Sequence, residues 1–343
     1  MPDSMLRLPA EWEPQSAVLI AWPHAGTDWA DRLAEVETSY RALVAAIVRF
    51  QPTLICVPDA AVRSRALAVL ADIPQHERVR FVQCAYDDTW LRDSGPITLT
   101  GSDDPVLLDF RFTGWGGKYE ASRDDRLVSA LLERGAFTRC RHRPVDFALE
   151  GGAIESDGRG SVLSTWRCLH ERHPQRSRAE VTDILCRNLH AQRVLWLDHG
   201  YLQGDDTDAH IDTLARFAPD DTIVYQACPD ADDAHFAELG AMAVELSQLR
   251  TLGGAPYRLL ALPWPRAIED DGRRLAASYA NFLIVNGAVL MPAYDDPADT
   301  VAAEVLRQAF PGREIVSVPC RPLIWQNGSL HCLTMQLPEG LLA

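Results

Sequence analysis

The feature that most constrains this chain is an end-to-end alternation of short apolar segments with longer amphipathic ones. Residues 16–21 (SAVLIA) read as a strand, and 29–50 as a helix with Leu33, Val36, Tyr40, Leu43 and Ile47 at helical spacing. The pattern continues with strands at 53–57, 79–83, 161–165, 193–197, 222–226, 282–285 and 314–318. Helices are predicted at 60–70, 123–134, 175–189, 232–248 and 297–309. Such alternation implies an α/β fold. A length of 343 residues allows either two domains or one large one, and no Pro/Gly/Ser-rich linker divides the chain. The spacing of the helices hints at a repeat of roughly 60–70 residues, with weak identity between units.

Charge narrows the function. There are 33 Lys and Arg against 48 Asp and Glu, a formal balance of −15. Such a surface repels nucleic acid and anionic lipid and favours small cations. No Lys/Arg-rich run offers a footprint for nucleic acid. The first residues, Met1 to Met5, have no basic stretch followed by an apolar one, and the apolar run at 283–291 is too short to span a bilayer. The expectation is therefore a cytoplasmic enzyme without nucleic-acid or membrane partners; a homodimer is left open. The eight cysteines include no C-x-x-C pair and are expected as free thiols.

Polar, Gly-rich knots at 86–96, 112–118, 149–154, 199–212 and 325–332 lie where strands begin or end, which is where sites are built. If 210–212 is extended, His210 and Asp212 face one side, offering an imidazole and a carboxylate to one cavity; a polar surface turn is the alternative. Glu150 precedes two glycines, so its acid either enters a pocket or simply ends a loop. Asp93, before Ser94-Gly95-Pro96, reads by itself as a turn residue. Trp115, set among Gly114, Gly116 and Gly117, suits an aromatic face over a cationic ligand better than a core position. Cys332 is a small buried hydrophobe or a nucleophile. Its neighbour His331 would point the other way on a strand, which makes His210 the better base. His199, His210, Asp212, His331 and Cys332 are metal-type ligands, yet none has zinc-site spacing.

In order, these knots resemble a known family. The succession Trp90-Leu91-Arg92-Asp93-Ser94-Gly95-Pro96, Gly114-Trp115-Gly116-Gly117-Lys118, Glu150-Gly151-Gly152, residues 204–212 (GDDTDAHID) and Gly328-Ser329-Leu330-His331-Cys332 resembles the agmatine deiminase family, which includes bacterial peptidylarginine deiminases. The opening Leu8 to Pro14 and the block from Ser278 through Pro292 resemble further shared segments, so the likeness runs from about residue 8 to 338. The resemblance implies the pentein fold: one catalytic domain over 1–343, a five-bladed α/β propeller of ββαβ units around a central site.

It also implies a catalytic set of Cys332, His210, Glu150, Asp93 and Asp212, with Asp206 at a position that contacts substrate. The chemistry of these groups agrees. Two carboxylates in fork geometry, Asp93 and Asp212, suit a guanidinium. Cys332 would attack as thiolate, and His210, oriented by Glu150, would serve as acid and then base. Trp90 and Trp115 would stack along an aliphatic stem. The resemblance implies no metal and no organic cofactor. The expected substrate is a small cationic guanidine, agmatine first, which would yield N-carbamoylputrescine and ammonia for putrescine and polyamine synthesis. Two departures bear on the substrate. The family's Gly-Gly-Gly-Asn before the final pair is here Gln326-Asn327-Gly328-Ser329, and its Asn-Glu-His is Asp208-Ala209-His210. A peptidylarginine or other small-guanidine deiminase is the alternative, ahead of an amidinotransferase or a non-catalytic guanidine-binding protein.

Overall fold

The computed structural model describes residues 6–342. The N-terminal run forms β1 (Gln15–Ala21), α1 (Leu33–Ile47), β2 (Thr53–Val57), α2 (Ala60–Val69) and β3 (Val79–Gln83). After a short turn α3 (Leu91–Ser94) come β4 (Ile97–Leu99), β5 (Val106–Arg111), the tight turn α4 (Gly114–Gly117), α5 (Leu127–Glu133) and β6 (Arg141–Ala148). Next are β7 (Glu155–Ser156), β8 (Ser161–Thr165), α6 (Trp166–Arg172), α7 (Arg178–Leu189) and β9 (Arg193–Leu197), then β10 (Ala215–Ala218), β11 (Thr222–Gln226), α8 (Phe236–Gln248) and β12 (Arg258–Leu262). A small hairpin, β13 (Glu269–Asp270) and β14 (Arg273–Arg274), leads to β15 (Leu283–Val285), β16 (Ala288–Ala293), α9 (Ala298–Ala309), β17 (Glu314–Pro319) and finally β18 (Met335–Pro338).

One connectivity recurs in five sheets among the described residues. A short strand pairs antiparallel with a longer one, which then pairs parallel with a third across a helical crossover. This holds for β4–β5–β6, β7–β8–β9, β10–β11–β12 and β15–β16–β17. In the remaining sheet the short strand is β18, from the other end of the chain; it pairs antiparallel with β1, which runs parallel to β2 and through it to β3. Parallel crossovers demand helices that cover a sheet face, which is why the amphipathic segments alternate with strands. In α1, Val36, Tyr40, Leu43, Val44 and Ile47 are buried. α7 begins with a capping box in which Ser177 and Glu180 satisfy each other's backbone donors.

Where sequence and structure part, length is the reason. The short strands β4, β7, β10, β15 and β18 have two to four residues, too few to establish a period. The helix expected over 29–50 is a 3₁₀ turn (Ala30–Arg32) followed by α1. Residues 210–212 are not extended: Asp208 and Ala209 have positive φ, and Ile211–Thr213 is a 3₁₀ turn. His331 and Cys332 likewise sit in a turn rather than on a strand.

Candidate active site

The sequence-predicted residues fall at matching places in the recurring sheets. Each lies two to five residues ahead of a short antiparallel strand: Asp93 before β4, Glu150 before β7, His210 and Asp212 before β10, and Cys332 before β18. The fifth such position, before β15, holds Asn281. Composition and spacing did not single out Asn281, since one Asn in an apolar block looks like a turn residue. Its side chain nevertheless meets Cys332: Nδ2 is 3.2 Å from Sγ. Its Oδ1 accepts from the backbone N–H of His331 at 2.9 Å and of Cys332 at 3.4 Å. It therefore clamps the turn that carries the thiol.

The groups converge on one cavity of about 280 Å³, whose wall includes Cys332, His210, Asp93, Trp90, Trp115 and Asp206. Glu150 lies behind His210, with its Oε2 3.8 Å from Nε2. On the other side of the ring, Asp93 Oδ1 is 3.7 Å from Nδ1. Asp212 Oδ2 stands 3.7 Å from Cys332 Sγ. Gly152 is the pivot of this arrangement. A Cβ there would sit 2.6 Å from His210 Nδ1, 2.8 Å from Asp93 Oδ1 and 3.2 Å from Asp212 Oδ2. Only glycine lets the backbone pass so close to three site side chains, and its N–H donates to Asp93 Oδ1 at 3.0 Å.

Trp115 owes its glycine neighbours to backbone geometry. All four residues of α4 have positive φ, Trp115 itself at 54°. For a bulky residue that conformation is strained, and such strain concentrates at functional sites. The expectation that Trp115 lacks packing is corrected: it stacks edge-on with Phe112 and Tyr119. Its Nε1 donates to Asp93 Oδ2 at 2.9 Å, so it also orients the carboxylate. Trp90 packs against Trp29 at 5.7 Å. Asp206 Oδ2 accepts from Tyr119 Oη at 2.7 Å and Asn327 Nδ2 at 2.9 Å, tying three loops over the cavity.

Two ionisable residues that the sequence left aside support the ring. Arg172 Nε donates to Glu150 Oε1 at 2.7 Å and its Nη1 to Asp208 at 2.6 Å. His331 is buried away from the cavity, with Nδ1 2.8 Å from Asp212 and Nε2 2.8 Å from Glu11. It thus orients Asp212. Burial, with Arg216 and Arg92 nearby, shifts its pKa down and favours the neutral ring, which donates from one nitrogen only. Arg92 is a structural cation, donating from Nη1 to Gln336 at 2.5 Å. Lys118 is held by Asp208 and the carbonyl of Asp206.

Electrostatics fix the resting protonation. Burial pushes the Cys332 thiol well up, and the charges of Asp212 and Asp93 add to it. Burial raises the Asp93 carboxyl to about 6, although His210 pulls the other way. For His210, burial favours the neutral ring, but Asp93 and its other neighbours outweigh this and hold it protonated well above its ordinary value. Burial opposes ionisation of Asp212 and Glu150 too. His331 reverses this for Asp212, and His210 with Arg172 for Glu150, so both are shifted down. The resting site is then a thiol and an imidazolium among carboxylates, awaiting another cation.

The family description "Porphyromonas-type peptidyl-arginine deiminase" matches residues 7–338 of the chain. The chain belongs to that family. Among its relatives is the agmatine deiminase of Stutzerimonas stutzeri, 34% identical over 358 residues, covering 96% of this chain and 95% of that one. A substrate-bound agmatine deiminase from C. jejuni superposes with a TM-score of 0.91 at 34% identity, covering 98% and 97% of the two chains. A Porphyromonas gingivalis structure, provisionally described as an arginine deiminase, gives a TM-score of 0.93 at 44% identity over 98% and 100%. The mixed α/β fold is thus the one these deiminases share.

Proposed function

We propose that the chain is a hydrolase of C–N bonds in linear amidines that converts agmatine to N-carbamoylputrescine and ammonia. The observation that favours agmatine is the cavity wall. Among the described residues it carries eight carboxyl groups, Asp28, Asp87, Asp88, Asp93, Glu120, Asp124, Asp205 and Asp206, and neither lysine nor arginine. A dication such as agmatine suits that wall. An arginine α-carboxylate would meet like charge with no basic partner. The likeness to the Porphyromonas gingivalis protein keeps arginine as the second reading.

The roles follow from the geometry. The guanidinium enters between Asp93 and Asp212, which hold its N–H groups by charge-assisted hydrogen bonds. Its charge relieves the repulsion that keeps Cys332 protonated, so the thiol gives its proton to solvent and the thiolate forms beside its target. Sγ bonds to the guanidinium carbon. The C–N bond to the leaving nitrogen then breaks as His210 donates its proton, and ammonia departs. The carbon remains on Cys332 as a thiouronium. His210, now neutral and set by Glu150, takes a proton from water and the hydroxyl adds; the C–S bond then breaks as the hydroxyl proton is lost to form the carbonyl, the sulfur returns to its thiol, and the ureido product leaves. Asn281 holds the turn and the sulfur in place. No step calls for a cofactor. The five sheets, each presenting a residue from the same place, support a single-domain five-bladed α/β propeller around the cavity. Among the described residues no helix is long and apolar enough to cross a membrane.

A panel of agmatine, arginine and arginyl peptides, assayed for ureido product, tests this. Agmatine is expected to have the highest kcat/KM, and Cys332→Ala to lose at least about 10³-fold on every substrate. Preference for arginine or arginyl peptide overturns the substrate. Undiminished ammonia release by Cys332→Ala overturns the nucleophile. Turnover that requires an acceptor amine would make the chain an amidinotransferase.

A further inference from the structure

Of the buried thiols that the chemistry above leaves unused, Cys168 adjoins the His210–Glu150 pair. Cys168 lies on α6, fully enclosed, one helical turn before Arg172. Its Sγ, a ring nitrogen of His210 and a carboxylate oxygen of Glu150 all lie within 4.8 Å of one another. Proximity alone decides little. However, Glu150 Oε2 and both ring nitrogens of His210 have no hydrogen-bond partner, although each residue is only 1% exposed. Buried polar atoms are rarely left so. Arg172 occupies the other oxygen of Glu150, and Oε2 is the one turned toward His210.

The donor set is one sulfur, one imidazole nitrogen and one carboxylate oxygen, which is the set of borderline-soft divalent ions such as zinc. Zinc draws such ligands to about 2.0–2.3 Å, which here requires shifts on the order of 1 Å. A divalent ion, Arg172 and Lys118 stand against Glu150, a Cys168 thiolate, Asp93 and Asp208, which is paired to Arg172 at 2.6 Å and to Lys118 at 2.7 Å. His210 forms part of the cavity wall while Cys168 and Glu150 are buried outside its lining, so the cavity is the entry path.

We propose that Glu150, Cys168 and His210 form an inhibitory site for a thiophilic divalent cation, zinc foremost, entered from the substrate cavity. Cys168 loses its thiol proton to solvent as the metal–sulfur bond forms, His210 sheds a proton to bind as neutral imidazole, and nothing is oxidised. The consequence for turnover rests on the hydrolase reading. An occupied site withdraws His210 and Glu150 from acid–base work while leaving Cys332 unligated. Binding must strengthen as pH rises, because protons are released.

The test uses metal-free Cys332→Ala protein, full length, so that the proposed nucleophile cannot contribute. Cadmium is titrated by its ultraviolet thiolate charge-transfer absorption, and zinc by calorimetry in two buffers of different ionisation heat. The expected result is one site with a thiolate band and buffer-dependent heat. Adding Cys168→Ser should abolish the band and weaken zinc at least about tenfold, and Glu150→Gln should weaken zinc while keeping the band. A band that survives Cys168→Ser, or is already missing in Cys332→Ala, overturns the proposal. Should Cys168→Ser melt anomalously by circular dichroism, Glu150→Gln decides, and unchanged zinc affinity there also overturns it. These titrations need no substrate, so their failure leaves the hydrolase reading intact. Conversely, a chain inactive on every guanidine that still binds zinc through Cys168 would sink that reading and keep this one. In wild type, zinc should inhibit agmatine turnover, and a chelator should restore it.

Discussion

At the scale of the residue, the site is governed by which groups share its negative charge. Cys332 is held as a thiol by burial and by Asp212 and Asp93, so its activation depends on what binds beside it. An opposite charge close by shifts such a group by about 1–3 pKa units. A cationic haloacetamidine should therefore alkylate Cys332 at least about tenfold faster than neutral iodoacetamide at neutral pH, after correction for intrinsic reactivity. Equal corrected rates, read by mass spectrometry, would remove the charge argument. Asp93 is expected to set the acid limb. Its carboxyl is raised to about 6 by burial, so it is protonated below that pH and ionised above it. Only the ionised form pairs with a guanidinium, so kcat/KM should fall as pH drops through about 6. A flat profile from pH 7 to 5 would show that Asp93 does not bind the cation in its charged form. The motifs pointed to Cys332, His210, Glu150, Asp93 and Asp212, which the fold brings together around one cavity. They did not point to Asn281 and Arg172, because an isolated Asn and an Arg in a polar helix carry no spacing signal, and their roles come from what folds against them.

At the scale of the element, turns rather than strands or helices aim the chemistry. His210 points into the cavity because Asp208 and Ala209 take positive φ ahead of the Ile211–Thr213 turn. The extended reading of 210–212 arrived at the same pairing of His210 and Asp212 by a different geometry. Gly152 is the tightest part of this design. Gly152→Ala introduces a methyl 2.6 Å from His210 Nδ1 and 2.8 Å from Asp93 Oδ1, and nothing about its φ forbids the residue. The side chains must then shift, and misplacement of about 1 Å costs on the order of 10²-fold in rate. The expected outcome is a folded protein with kcat/KM down about 100-fold. Full activity by steady-state kinetics would mean that the ring tolerates the methyl and is not closely set.

At the scale of the whole molecule, the two ends of the chain close one sheet, and a buried charge cluster ties the rest together. β18 pairs with β1, and it buries Met335 and Leu337, while Leu341 is buried just beyond it. Burying three such side chains stabilises by about 4–9 kcal/mol, comparable with the net stability of an ordinary domain. Deletion of residues 335–343 should therefore abolish the cooperative thermal transition, and an unchanged melt would contradict the closure. Arg216 is fully buried and donates to Glu11 at 2.7 Å, Glu155 at 2.8 Å and the carbonyl of Phe282 at 2.6 Å. It joins the N-terminal run, β7 and the segment before β15. Arg216→Met leaves two carboxylates buried without their partner and should cost roughly 3–5 kcal/mol. Glu155 is already raised to about 7 by burial. A carboxylate with a raised folded-state pKa adds stability below its unfolded value and loses it as pH rises through the folded one. The deficit in Arg216→Met should thus shrink as pH falls below 7, as denaturant melts would reveal; a deficit that grew instead would refute the assignment.

The sequence by itself determined the alternation of strands and helices and the order of the chemical knots. Both are written in local patterns, apolar periodicity and short runs of glycine and polar residues, which need no distant partner. It did not determine that Trp115 would be strained and orienting, that Asn281 would grip Cys332, or that Cys168 would meet Glu150 and His210. Those facts depend on segments far apart in the chain packing from neighbouring sheets onto one cavity. Burial then changes each group's charge according to its new neighbours, so both the distances and the protonation states arise only once the fold is closed.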